Sequence, residues 1–206
     1  MISRKQNTFA VVINYQERIL PAMDNWEELV RKSEILLKGL KAMEIPMVLT
    51  TQYAKGLGDN VSAITDAMGV TEAIDKGVFS VYASDDVKAA LPHGRKNVII
   101  CGIEAHICVL QTVIDMKEAG YQPILVADCI SSRSSEDKKY ALIRAQQEGA
   151  LITTAAALPH ELLETSQPPE FTPISALVNS SGGHERTMIT SMLPEYCGAN
   201  PYPLSF

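Results

Sequence analysis

The feature that most constrains this chain is an alternation. Short runs of β-branched and aliphatic residues are separated by longer segments whose apolar positions recur at helical spacing. FAVVIN (9–14), PMVLTT (46–51), NVIICG (97–102), YQPILVADC (121–129) and ALITTAA (150–156) are apolar runs of strand length. Continuous runs suit strands buried on both faces, whereas half-exposed strands alternate polar and apolar residues. AIDKGVFSVYAS (73–84) reads as a short edge-like strand leading into a loop. WEELVRKSEILLKGLKAM sets Leu29, Leu36, Leu37, Leu40 and Met43 on one helical face, with Asp24 or Asn25 as the cap. Further helical segments are one short helix within 53–69, DDVKAALPHG, residues 105–119, the serine-capped stretch ending at Gly149, and PHELLET. Strands alternating with helices imply βαβ units, right-handed crossovers and a parallel sheet covered on both faces. The expected class is α/β, with three α/β/α layers and a mostly parallel sheet.

Length and charge narrow the possibilities. A chain of 206 residues suits one domain with a sizeable core. Its net charge of -6 and scattered basic residues argue against nucleic-acid binding, which depends on clustered Lys and Arg. No stretch approaches the ~18 apolar residues of a membrane span, and the N-terminal MISRKQNTFAVVINYQ does not read as a signal peptide. Cys101, Cys108, Cys129 and Cys197 are irregularly spaced and form no CxxC pair, which points to reduced thiols and a cytoplasmic location. From Gln167 the composition turns to proline, serine and glycine, with SSGGHE at 180–185. This stretch is expected to form a loosely ordered arm that can lie on a neighbouring subunit.

In an open parallel sheet, ligands bind beyond the carboxyl ends of the strands. That rule selects Asn14, Gln16, Tyr53, Lys76, the segment from Glu104 to Cys108, and Asp128. A helix starting near Ala105 would set N–H groups and a positive dipole beside Cys108. Such surroundings can lower a thiol below its free pKa of ~8.5 and can hold a carbonyl oxygen that becomes negative under attack. Free cysteines are also among the most buried residues, so spacing alone leaves Cys108 either a nucleophile or one more buried sulfur. Cys101, inside NVIICG, reads as core, and Cys129 as packing at a strand end.

Three ordered elements bear on that choice: INYQ (Ile13 to Gln16), DKGVFS (Asp75 to Ser80) and GIEAHICV (Gly102 to Val109). Together they resemble the isochorismatase-like cysteine hydrolases over roughly residues 8 to 165, with TTQYAKGLG and DCISSRSSEDKKYAL most similar to the metal-free, isochorismatase domain-containing subgroup. The resemblance implies a Rossmann-like, six-stranded sheet and an Asp-Lys-Cys triad. By position the cysteine is Cys108, the lysine is Lys76, and the aspartate position holds Asn14. It further implies a cis bond between Ile103 and Glu104, with the N–H groups of Glu104 and Cys108 forming an oxyanion hole. Gln16, Tyr53, Phe79 and His106 are the candidate substrate-binding residues. Nicotinamidases of the family carry metal-binding histidines after the second strand. TTQYAKGLGDN has none, so neither a metal nor another cofactor is expected.

The expected activity is therefore hydrolysis of a small-molecule amide or imide C–N bond through a Cys108 thioester. The domain is placed at 1–178 and the arm at 179–206, in a homo-oligomer that binds neither nucleic acid nor membrane. Neutral Asn14 cannot serve as the base, so turnover is expected to be impaired. Two alternatives stay open: a non-catalytic pseudoenzyme that binds a small ligand, and a vinyl ether hydrolase of the isochorismatase type.

Overall fold

The computed structural model describes residues 4–165, 169 and 171–180. Six parallel strands run in the order β3-β2-β1-β4-β5-β6: β1 (Thr8–Ile13), β2 (Met47–Gln52), β3 (Ile74–Lys76), β4 (Asn97–Ile103), β5 (Gln122–Ser131) and β6 (Leu151–Thr153). The sheet is parallel throughout, and the α/β expectation is met. Around it lie α1 (Trp26–Ala42), α2 (Ala54–Leu57), α3 (Ser62–Met68), α4 (Asp85–Ala90), α5 (Leu110–Glu118), α6 (Ser135–Gln147), α7 (Ala157–Leu163) and α8 (Phe171–Ser180).

The continuous apolar runs have the expected cause, since every residue of β1 and β4 is buried. Successive side chains on a strand point to opposite faces. Ala10, Val12, Ile99 and Cys101 therefore join one core cluster with α1, α3 and α7, while Phe9, Val11, Val98 and Ile100 join the other with α5 and α6. Cys101 is core, as its position predicts, and burial pushes its thiol up to about 12. Cys129 is fully buried as well, and its thiol is raised by burial and then by Cys101. A raised thiol keeps its proton in the native state after the unfolded chain has released it. Stability contributed in this way is intact below the unfolded value of ~8.5 and declines as pH rises from there toward about 12. The urea midpoint should fall between pH 8 and pH 10, and Cys101→Ala should flatten that fall.

Several local features differ from expectation. Asn25 holds the cap position of α1 in a left-handed conformation, φ 50°, and its side chain makes no capping hydrogen bond. The helix expected at 105–119 begins as a π-helical turn, Ala105–Val109, before α5. The proline-rich stretch expected to be loose includes α8, because Ile174 and its apolar neighbours can pack on α1, and Ile174 is fully buried there. The remainder of the expected arm, 181–206, lies outside the described residues.

Two features of the sheet build the site. Chain connections diverge between β1 and β4, the switch point where such sheets bind ligands. There Gly102 adopts φ +129°, and a Cβ on it would lie 2.1 Å from the Ile13 carbonyl oxygen. Gly102→Ala should cost about 3 kcal/mol or more, read by denaturant unfolding, because both the conformation and the space require glycine. The second feature is in β5. From Ile100 to Gly102, β4 advances two residues, while its partner advances five, from Leu125 to Ile130. This bulge carries the end of β5 past Cys129, where the sequence pattern stops, and sets Ser131 beside Ile103.

Candidate active site

Asn14, Lys76 and Cys108 converge at the switch point from the ends of β1 and β3 and from the π-helical turn after β4. All three are buried: Asn14 is 4%, Lys76 3% and Cys108 5% exposed. Asn14 Nδ2 lies 3.5 Å from Cys108 Sγ, and Lys76 Nζ lies 3.9 Å from it. Thr50 Oγ1 donates to Asn14 Oδ1 at 3.2 Å, which orients the amide with its N–H toward the sulfur. Lys76 Nζ also donates to Gln52 Oε1 at 2.8 Å and to the carbonyls of Val78 and Phe79, each at 3.1 Å. Three oxygen acceptors match the three protons of an ammonium. With the sulfur, four acceptors therefore surround one lysine nitrogen.

The bond between Ile103 and Glu104 is cis, as the resemblance implies. The Glu104 carbonyl accepts from the amides of Ile107 and Val109, at 3.1 and 3.2 Å, and so holds the turn that carries Cys108. Burial pushes the Cys108 thiol up. Lys76, the Glu104 backbone N–H and the Asn14 amide each pull it back, while the Glu104 carboxylate pushes it further up. The net direction is upward, against the expectation of a lowered thiol, because desolvation of the anion outweighs these donors. Burial likewise lowers Lys76, opposed by Cys108 and Asp75. The nearby Asp75 carboxylate accepts from Thr51 Oγ1 and the Ala54 amide, both at 2.9 Å.

Above the sulfur lies a cavity of ≈ 160 Å³ lined by Asn14, Gln52, Phe79, Glu104 and Cys108 and by apolar Ile19, Leu57, Ile103 and Ile107. Phe79 thus stands where a pocket wall was expected. Gln16, Tyr53 and His106 are outside this lining. The amide of Gln16 is occupied by the Gln52 and Gly58 carbonyls and by the Gln52 backbone N–H. Tyr53 is 60% exposed, with its ring over Gly56. His106 Nδ1 pairs with Ser132 Oγ at 3.0 Å. Among the described residues, no group of three or more His, Cys, Asp or Glu could hold a metal ion.

Gln52 and Arg133 were missed from sequence. Gln52 stands at the carboxyl end of β2 and could have been found by the same rim rule. Arg133 reaches Glu104 only because of the β5 bulge, which leaves no local signal.

A sequence model described as the isochorismatase domain matches residues 8–157. The chain belongs to the isochorismatase family. Isochorismatase domain-containing protein 1 of Salmo salar is 32% identical over 168 residues, 81% of this chain but 59% of that protein. The chain thus spans less than two thirds of that relative's length. The solved MAR1 ribonuclease from Caenorhabditis elegans is 30% identical, covers 100% of both chains and superposes with a TM-score of 0.80. The Escherichia coli YcaC gene product, described as an octameric hydrolase of unknown specificity, is 21% identical over 93% of this chain and 96% of its own, with a TM-score of 0.82. The chain therefore has the isochorismatase-family hydrolase fold. None of its described helices is long and apolar enough to cross a membrane.

Proposed function

We propose that this isochorismatase-family chain is built as a cysteine hydrolase of small-molecule amide or imide C–N bonds, with turnover limited by Asn14. The observation that carries the reading is the buried cluster of Asn14, Lys76 and Cys108 under one small cavity. Cys108 attacks the carbonyl carbon, and the N–H groups of Glu104 and Cys108 receive the oxygen as it becomes negative. The nitrogen leaves with a proton as the thioester forms, and water releases the acid. Lys76 supports the sulfur as an anion. The group at position 14 would pass the proton, and an amide cannot.

A binding-only role is the second reading, favoured by Asn14 donating to the sulfur rather than accepting from it. Vinyl ether cleavage is the enzymatic alternative, and it does not need the cysteine. The ≈ 160 Å³ cavity is close to the ~150 Å³ that holds a benzene-sized body, which favours a small molecule over a polynucleotide, as does the net charge of -6. The free, buried thiols of Cys101, Cys108 and Cys129 fit a reducing cytoplasm. We further propose a homo-oligomer. The octameric relative supports this, as do the exposed Tyr53, Val78 and Phe79 beside the cavity. Light scattering should therefore return a mass above that of one chain.

The test is turnover on a panel of neutral amides and imides, measured for the parent, Asn14→Asp and Asn14→Asp carrying Cys108→Ala. Activity in Asn14→Asp that requires Cys108 supports the hydrolase. Inactivity of all three overturns it, and amide turnover that survives loss of the cysteine removes the Cys108 thioester from the mechanism.

A further inference from the structure

The segment 131–133 that follows the β5 bulge grips the nucleophile turn at two points. Arg133 meets the Glu104 carboxylate with two side-chain nitrogens, Nε to Oε2 at 3.1 Å and Nη2 to Oε1 at 3.0 Å. The Arg133 backbone N–H adds a third bond to Oε2 at 3.2 Å. Two residues beyond Glu104, the His106 ring nitrogen Nδ1 pairs with Ser132 Oγ at 3.0 Å. The gripping segment is itself anchored: Ser131 Oγ donates to the Asp24 carbonyl at 2.8 Å, and the Asp24 amide donates to the Ser132 carbonyl at 2.9 Å.

The two partners of the main contact differ in exposure. The Glu104 side chain is 4% exposed and Arg133 is 61% exposed. A buried carboxylate without a partner is costly, and a bidentate guanidinium supplies both charge and a fixed plane. Glu104 also lines the cavity beside Cys108, and its carbonyl accepts from the amides of Ile107 and Val109 on either side of the cysteine, so whatever holds its side chain holds that turn.

We propose that Arg133 is a positioning residue: it anchors and neutralises the buried Glu104 carboxylate, and so fixes the start of the turn that carries Cys108 and shields the sulfur from a bare negative charge. Arg133 lies outside the cavity lining and acts only through Glu104. The inference rests on Cys108 as the nucleophile. Its test reads the thiol directly, without substrate, so it stands or falls apart from the hydrolase reading.

The test is the pH dependence of Cys108 alkylation by iodoacetamide, followed by peptide mass mapping. Arg133→Met leaves the Glu104 charge uncompensated beside the sulfur. The alkylation midpoint should rise by about half a pH unit or more, roughly a threefold slower reaction at a fixed pH below it. Glu104→Gln removes that negative charge and should move the midpoint down. The double variant, which removes both charges, should return toward the parent. Arg133→Lys keeps the charge but not the fork, and should move the midpoint less than Arg133→Met. A purely structural contact would not give opposite shifts that cancel. Single variants that move the midpoint in the same direction, or leave it in place, overturn the proposal. Should Arg133→Met fail to fold, Glu104→Gln and Arg133→Lys carry the same decision.

Discussion

Asn14→Asp is expected to raise kcat on a responsive amide by about 10²–10⁴-fold, the usual contribution of a positioned general base. The geometry makes the substitution compatible with the fold. Asn14 sits at φ 56°, in the left-handed region that asparagine and aspartate both tolerate, so the backbone need not move. Thr50 Oγ1 already donates to Oδ1 and would continue to do so. The change falls on the other atom. Nδ2, now 3.5 Å from the sulfur as a donor, becomes an oxygen that can accept the thiol proton and return it. Lys76 gains a carboxylate nearby, in a site where its ammonium now meets only neutral oxygens and the sulfur. Steady-state kinetics on the amide panel reads the result. A gain in kcat with little change in KM locates the effect in the chemical step. No gain on any amide would remove proton transfer at position 14 from the mechanism.

Cys108→Ala in the Asn14→Asp background should lower kcat/KM by at least about 10³-fold, since covalent catalysis loses its nucleophile and the remaining groups only bind and polarise. Cys108 is 5% exposed at the floor of the cavity, and alanine removes a single sulfur atom there, so the packing stays largely intact and the loss reads as chemistry. Trapping adds a second measurement. With Asp at position 14 to take the thiol proton, a Cys108-linked acyl group should be captured in intact-protein mass spectra after a rapid acid quench. Cys108→Ala should show none. In the parent, the rate of Cys108 modification should climb with pH, because burial holds the thiol above its ordinary value and the anion appears only as pH rises. A rate that is flat with pH would show that the sulfur is already ionised.

Much of the fold was legible because parallel strands buried on both faces must be apolar throughout. FAVVIN and NVIICG show that pattern in their composition alone. Asn14, Lys76 and Cys108 could be picked out because a parallel sheet presents strand ends to one rim, and each stands at such an end or in the turn that follows it. Gln16 was chosen by the same rule, but its amide is occupied by the backbone around Gln52 and Gly58. Neighbouring positions on one rim cannot be separated into pocket and scaffold by sequence, since that depends on which way each side chain turns.

The order of strands and helices, the core residues of β1 and β4 and the presence of an asparagine at position 14 were all determined by the sequence itself. They follow from local periodicity and residue identity. Tertiary structure alone decided the rest. It showed that three oxygens and the sulfur surround Lys76 Nζ, that the Asn14 amide presents its N–H to the sulfur, and that burial pushes the Cys108 thiol up. It also brought Arg133 to Glu104 across 29 residues of chain. These are properties of atoms from separate strands meeting at a switch point. Charge and hydrogen bonding there depend on distance through space, which no stretch of sequence encodes by itself.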